Sequence, residues 1–148
     1  MKKLLLILLL SFSFLNVAAH KHDPVRGQEV MEFKMKFLAQ EMNLNEAQQK
    51  KFFDLYPQLM AEVHQVFSDV RAQEKKLKSE GSKASDADYA AINEARTKAK
   101  LRLAEIEKKY DEKFATFLST KQIGKTTDAE ASFRKKMREV RHKKRNSK

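Results

Sequence analysis

Apolar residues along this chain recur mostly at intervals of three and four, the spacing of helices that bury one side. The first such stretch carries Met31, Met35, Leu38 and Met42, with Phe33 and Phe37 widening the stripe, and predicts a helix from about Gln28 to near Asn43. Asn45 then offers a cap, and Gln48 three residues on can reach back to it, so a second helix starts there. Its apolar line is Phe52, Tyr56, Leu59, Val63, Val66, Val70 and Leu77, a four-three repeat with Gln73 as the polar member, ending at about Glu80 where Gly81 supplies a stop. Pro57 falls inside this stretch. It removes one backbone hydrogen bond and crowds the preceding turn, which predicts either a kinked helix or a short helix to Tyr56 followed by a longer one from Pro57.

Ser85 and Asp88 form the next capping pair, and the line behind them runs Tyr89, Ile92, Ala95, Ala99, Leu103, Ile106, Tyr110, Phe114 and Phe117. Ser119 and Gln122 open a last helix, with Leu118 and Ile123 placed as a hydrophobic staple and Phe133, Met137 and Val140 continuing its apolar side. The expected fold is all-α: a long bent antiparallel helical hairpin flanked by N- and C-terminal helices, one domain over residues 28–141. Two helices alone leave one side of an apolar stripe wet, so the flanking helices or a second copy of the chain must cover it. Residues 20–27 lack an apolar period and read as a flexible segment, and residues 142–148 as a basic disordered tail.

The N-terminus has its own pattern. Met1-Lys2-Lys3 precedes an apolar run from Leu4 to Leu15 broken only by Ser11 and Ser13, followed by Asn16 and the small residues Val17-Ala18-Ala19. These are the parts of a secretory signal peptide, with cleavage expected after Ala19. The run is shorter than the roughly 20 apolar residues a spanning helix needs. No cysteine is present among the 148 residues, so packing or oligomerisation must supply the stability of an exported protein. With 3 Gly and 2 Pro there is too little punctuation for an all-β fold.

Charge is distributed unevenly. Of the net +11, Lys2 and Lys3 belong to the leader, and Arg134, Lys135, Lys136, Arg138, Arg141, Lys143, Lys144, Arg145 and Lys148 face Glu139 alone in the last fifteen residues. A nearly neutral body therefore carries an electrostatic tail suited to something acidic, such as a membrane surface or an acidic partner. Nucleic acid is not an expected partner, because export separates the chain from it and no reading motif is present.

Catalytic chemistry is not expected. There is no cysteine nucleophile, Gly-rich phosphate loop, paired-histidine metal motif or serine–histidine constellation. One metal arrangement is chemically specific. Cleavage after Ala19 exposes His20-Lys21-His22, whose amine, two backbone amides and third-position histidine can surround Cu(II) or Ni(II) in a square plane. His64 and His142 stand alone in sequence and form no zinc site by themselves.

Two segments repeat: Leu44-Asn45-Glu46-Ala47-Gln48 and Leu118-Ser119-Thr120-Lys121-Gln122. On physics alone these are two well-capped helix starts. Taken with the leader, the helical pattern, Phe52-Phe53-Asp54-Leu55-Tyr56 and the stretch from Lys121-Gln122-Ile123-Gly124-Lys125 to Phe133-Arg134-Lys135-Lys136-Met137, the chain resembles the Spy/CpxP family of periplasmic stress proteins, which carry a Leu-Thr-x-x-Gln motif. The resemblance covers roughly Phe37 to Arg141, with Asn45 and Ser119 standing where the family usually has Thr. It implies a cradle-like homodimer in the periplasm that acts as an ATP-independent chaperone for unfolded or misfolded envelope proteins. The alternatives it implies are a metal-binding or metal-sensing accessory protein, or a regulator of an envelope stress sensor. Met31, Met35 and Phe37 are the candidate client contacts, because Met and Phe offer adaptable apolar surface.

Overall fold

The computed structural model describes residues 24–146, and every regular element within them is helical. The order is α1 (Pro24–Glu41), α2 (Glu46–Glu80), a 3-10 turn (Gly81–Lys83), α3 (Asp86–Phe114) and α4 (Thr120–Asn146). The fold is all-α, with no strand among the described residues. No described helix is long and apolar enough to cross a membrane.

The helix boundaries follow local chemistry. α1 starts at Pro24, four residues before the expected Gln28, at a position where a missing N–H costs nothing because the first turn has no partner for it. Residues 24–27 are thus helical rather than flexible; His20–Asp23 lie outside the described residues. At the other end of α1, Asn43 takes a left-handed conformation (φ 53°). Its N–H donates to Gln40 O (3.0 Å) and Leu44 N–H to Ala39 O (2.9 Å), the paired bonds of a Schellman stop, with Ala39 and Leu44 both buried beside it. Asn is among the few side chains that tolerate this conformation.

α2 runs as one helix through Pro57, so the two-helix alternative does not hold. It stops at Glu80, and Gly81, whose φ of +55° suits glycine, opens the 3-10 turn. Ser85 and Asp88 cap α3 as expected: Ser85 N–H donates to Asp88 Oδ2 (2.8 Å) and Asp88 N–H to Ser85 Oγ (3.3 Å). α4 continues to Asn146, so residues 142–146 belong to its last turns and not to a disordered tail. Lys and Arg are good helix formers, and no apolar residue is needed to extend a helix already started.

The chain divides into two compact units. Unit 1 contains α1, α2 through Asp54, and the chain from Phe114 onward. Here α1 packs on α4, and Leu38, Met42, Leu44, Phe52, Phe114, Leu118 and Phe133 are buried. Phe133 lies 5.9 Å from Phe33 and 5.7 Å from Phe37 between ring centroids, and Phe52 lies 5.7 Å from Phe114. Unit 2 is residues 55–113, the remaining parts of α2 and α3 with their connection. Its core is Tyr56, Val63, Ile92, Ala99, Leu103, Ile106 and Tyr110. Its two helices are antiparallel, because Glu62 pairs with Lys109 while Glu74, further along α2, pairs with the earlier Arg96.

Candidate functional site

The two Leu-x-x-x-Gln segments meet in unit 1. Each is a capping box of its own: Gln48 N–H donates to Asn45 Oδ1 (2.9 Å) and Asn45 N–H to Gln48 Oε1 (3.1 Å). Gln122 N–H donates to Ser119 Oγ (3.2 Å) and Ser119 N–H to Gln122 Oε1 (3.0 Å). The two glutamines then bond each other, Gln48 Nε2 to Gln122 Oε1 (3.1 Å) and Gln122 Nε2 to Gln48 Oε1 (3.0 Å), closing a reciprocal amide pair. Each amide also reaches the carbonyl just before the other segment: Gln48 Nε2 donates to Phe117 O (2.9 Å) and Gln122 Nε2 to Asn43 O (3.3 Å).

This geometry explains why both positions carry glutamine. A carboxylate can close a capping box but cannot donate, and here the side chain must accept from its own cap and donate across the joint. The third capping box shows the contrast. Ser85–Asp88 in unit 2 has no second box to bind, and an acid serves there. Leu44 and Leu118 are buried, so each repeat supplies one core residue, one cap and one half of the amide pair.

The candidate client contacts are less available than their sequence suggests. Met35 is only 9% exposed and belongs to the unit 1 core, a correction to its reading as a contact residue. Met31 is half-buried, and so is Phe37, whose ring lies under Lys136 Nζ at 5.0 Å as well as against Phe133. The same periodicity that put these residues on one face turned that face toward α4.

A partly open apolar cleft lies in unit 2, with Val66, Val70 and Ala95 half-buried and Ala99 at its buried floor. Val66, Val70, Ala95 and Ala99 line an open cleft of about 220 Å³, rimmed by Asp69, Gln73, Lys98 and Arg102. A second cleft of about 160 Å³ adjoins it, with Leu77, Ala91 and Ile92 among Gln73, Lys76, Glu80 and Asp88. Beyond Val63 no residue of α2 is fully buried, whereas on α3 Leu101 is 64% and Tyr89 53% exposed. The signal for this surface was present in the sequence: a four-three repeat running the length of two helices, with no further apolar stripe opposite.

Charged groups hold the rest of unit 2. Glu62 accepts from Lys109 Nζ and from Tyr110 OH (2.8 Å), and these two bonds, Lys109 first, lower its pKa. Burial, then the bond to Glu62, pushes the Tyr110 phenol up to about 12. Arg96 grips Glu74 through Nη2 (2.7 Å) and Nε (3.2 Å). Glu107 and Asp111, one turn apart on α3, are both raised, Glu107 by burial and by the Asp111 charge, Asp111 by burial.

The basic segment lies on α4. Lys135, Lys136, Arg138, Arg141, Lys143 and Arg145 are exposed, Arg134 is half-buried, and Lys144 completes the run in sequence. His142 is exposed, with Nδ1 3.3 Å from Arg145 Nη2, and His64 is exposed on α2. Among the described residues no three His, Cys, Asp or Glu side chains gather as a metal site. His20 and His22 lie outside the described residues. No family model, curated protein or solved structure matches this chain.

Proposed function

We propose that this protein is an exported, ATP-independent chaperone-like protein of the Spy/CpxP kind, cleaved after Ala19 and acting on unfolded or misfolded polypeptides in the periplasm. The observation that carries the reading is the half-exposed apolar cleft of unit 2, with Val66, Val70, Ala95 and Ala99 inside a rim of both charge signs. An unfolded chain presents apolar side chains beside polar backbone, and a shallow apolar floor with charged edges matches both without selecting one sequence. The reciprocal capping boxes add support for the family resemblance, since they give a physical reason for the repeated motif. A homodimer belongs to the same proposal and is measured by sedimentation equilibrium.

The test uses the purified protein, an aggregating unfolded client and no ATP. Suppression of aggregation at near-stoichiometric amounts is expected, and a charge placed in the cleft by Val70→Glu should weaken it severalfold while the helical circular-dichroism signal persists. No suppression by the unaltered protein, at low or high salt, contradicts the proposal. Suppression that Val70→Glu leaves intact moves the binding surface elsewhere.

A further inference from the structure

The end of α4 has a chemistry that a polypeptide-binding cleft does not use. From Arg134 to Arg145 the sequence holds eight basic residues against Glu139. At about 100° of turn per residue, Phe133, Met137 and Val140 form one narrow row. Lys136 and Lys143 fall on one flank of that row, Arg134 and Arg141 on the other, and Lys135, Arg138 and Arg145 share the back with Glu139. The row changes environment along its length: Phe133 is buried, Met137 half-buried and Val140 52% exposed. α1 runs antiparallel beside it, as the Lys34–Glu130 ion pair (2.9 Å) and the Phe33–Phe133 contact require, and it brings Val30 (43% exposed) and Phe33 (45%) to the same end of unit 1.

The geometry points to an anionic lipid surface as the ligand of this seam, with α4 lying along the headgroups and Val30, Phe33 and Val140 entering the interface. Like charges at helical neighbour spacing repel, and a negative surface relieves that repulsion. Exposed apolar residues between two basic flanks are the arrangement of a helix that lies in the membrane plane. Lys and Arg suit it because their stems can follow the apolar row while their heads stay with phosphate. Nucleic acid would use the charge but not the exposed Val and Phe. This inference does not depend on the chaperone reading, since it concerns unit 1 only.

The test uses the protein as purified from the cell that exports it, with vesicles of phosphatidylcholine alone and of phosphatidylcholine with phosphatidylglycerol in equal parts. Binding to the mixed vesicles, with little to the neutral ones and weakening as salt is raised, is the expected result. Each cation near such a surface contributes about fivefold in affinity, so R141E/K143E should lose well over tenfold, while R141K/K143R keeps near-normal binding. Val140→Ser should lose about threefold to fivefold, a part that charge alone does not supply. Circular dichroism monitors the fold of each variant. Equal binding to both vesicles, or unchanged binding in R141E/K143E, would overturn the proposal. So would an unaltered affinity in Val140→Ser, which leaves no apolar entry, or binding to polyglutamate without binding to mixed vesicles, which assigns the seam to acidic polypeptides.

Discussion

Unit 1 and unit 2 are built from the same kind of helix yet close their cores differently. In unit 1 α1, the start of α2 and the chain from Phe114 onward converge, so Phe52, Phe114 and Phe133 each meet another ring and the two helix starts bond through their glutamines. In unit 2 two helices face each other with no third layer, and ion pairs such as Arg96–Glu74 run along their edges. Two helices bury the residues between them and leave the flanking positions half-covered. Val66 and Val70 are in that second class, although their spacing along α2 matches that of fully buried Val63. A repeat on one helix therefore fixes which side is apolar, while the number of helices packed around it decides how much of that side stays available.

The largest expected effect separates the two units directly. Phe52→Ala should cost about 3–5 kcal/mol, the range for truncating a buried ring, whereas Val70→Ala, at a half-exposed position, should cost about 1 kcal/mol or less. Denaturant unfolding measures both, and comparable costs would break the distinction. Next comes the amide lock. Gln48→Ala leaves Phe117 O and Gln122 with lost partners and should cost about 1–3 kcal/mol. The double variant with Gln122→Ala should cost less than the sum of the singles, because either one already opens the pair. Gln48→Glu should also destabilise, since a carboxylate cannot donate across the joint, while Asp88→Ala in unit 2 should lose only a lone cap and cost less than Gln48→Ala.

What was legible in the sequence depended on range. Asn45–Gln48, Ser85–Asp88 and Ser119–Gln122 could be read because a capping box is local and needs only residues three apart. The bond between Gln48 and Gln122 could not, since it joins positions 74 residues apart and arises only when both helix starts are brought together. Met35 and Phe37 were seen as apolar, but periodicity does not say whether a stripe meets another helix or solvent. The start at Pro24 and the run to Asn146 escaped because residues 24–27 and 142–146 carry no apolar period; Pro24 fits a first helical position, and Lys and Arg propensity extends α4. Met35, buried, and Val66 and Val70, half-buried, sit in equally regular stripes, so their difference comes from the number of helices packed against each.

Smaller effects sharpen the same contrast. Gly124 is exposed inside α4, and nothing lies within 4 Å of where a Cβ would sit. Gly124→Ala should thus stabilise by about 0.5–1 kcal/mol. Gly81 also has open space around it, but its φ of +55° makes Gly81→Ala destabilising, by about 1 kcal/mol. Thermal unfolding should move in opposite directions for these two alanines. The smallest effect is in pH. Glu107 and Asp111 have raised pKa values, so the folded state holds their protons more tightly than the unfolded one; their contribution favours folding at low pH and is lost as pH rises through the raised values. Glu62, Asp88 and Glu94 are lowered and act oppositely, stabilising above the ordinary carboxylate range and losing that contribution as pH falls through their lowered values. Glu107→Gln should stabilise slightly at neutral pH, with the gain shrinking toward about pH 4.

Hydrogen exchange of the whole chain, with and without an unfolded client and without ATP, reports on both units at once. Client binding at the cleft should add protection around Val66–Val70 and Ala95–Ala99, with the backbone around Gln48 and Gln122 unchanged. Protection confined to unit 1, or protection of the cleft that grows with the protein's own concentration and not with client, would contradict it.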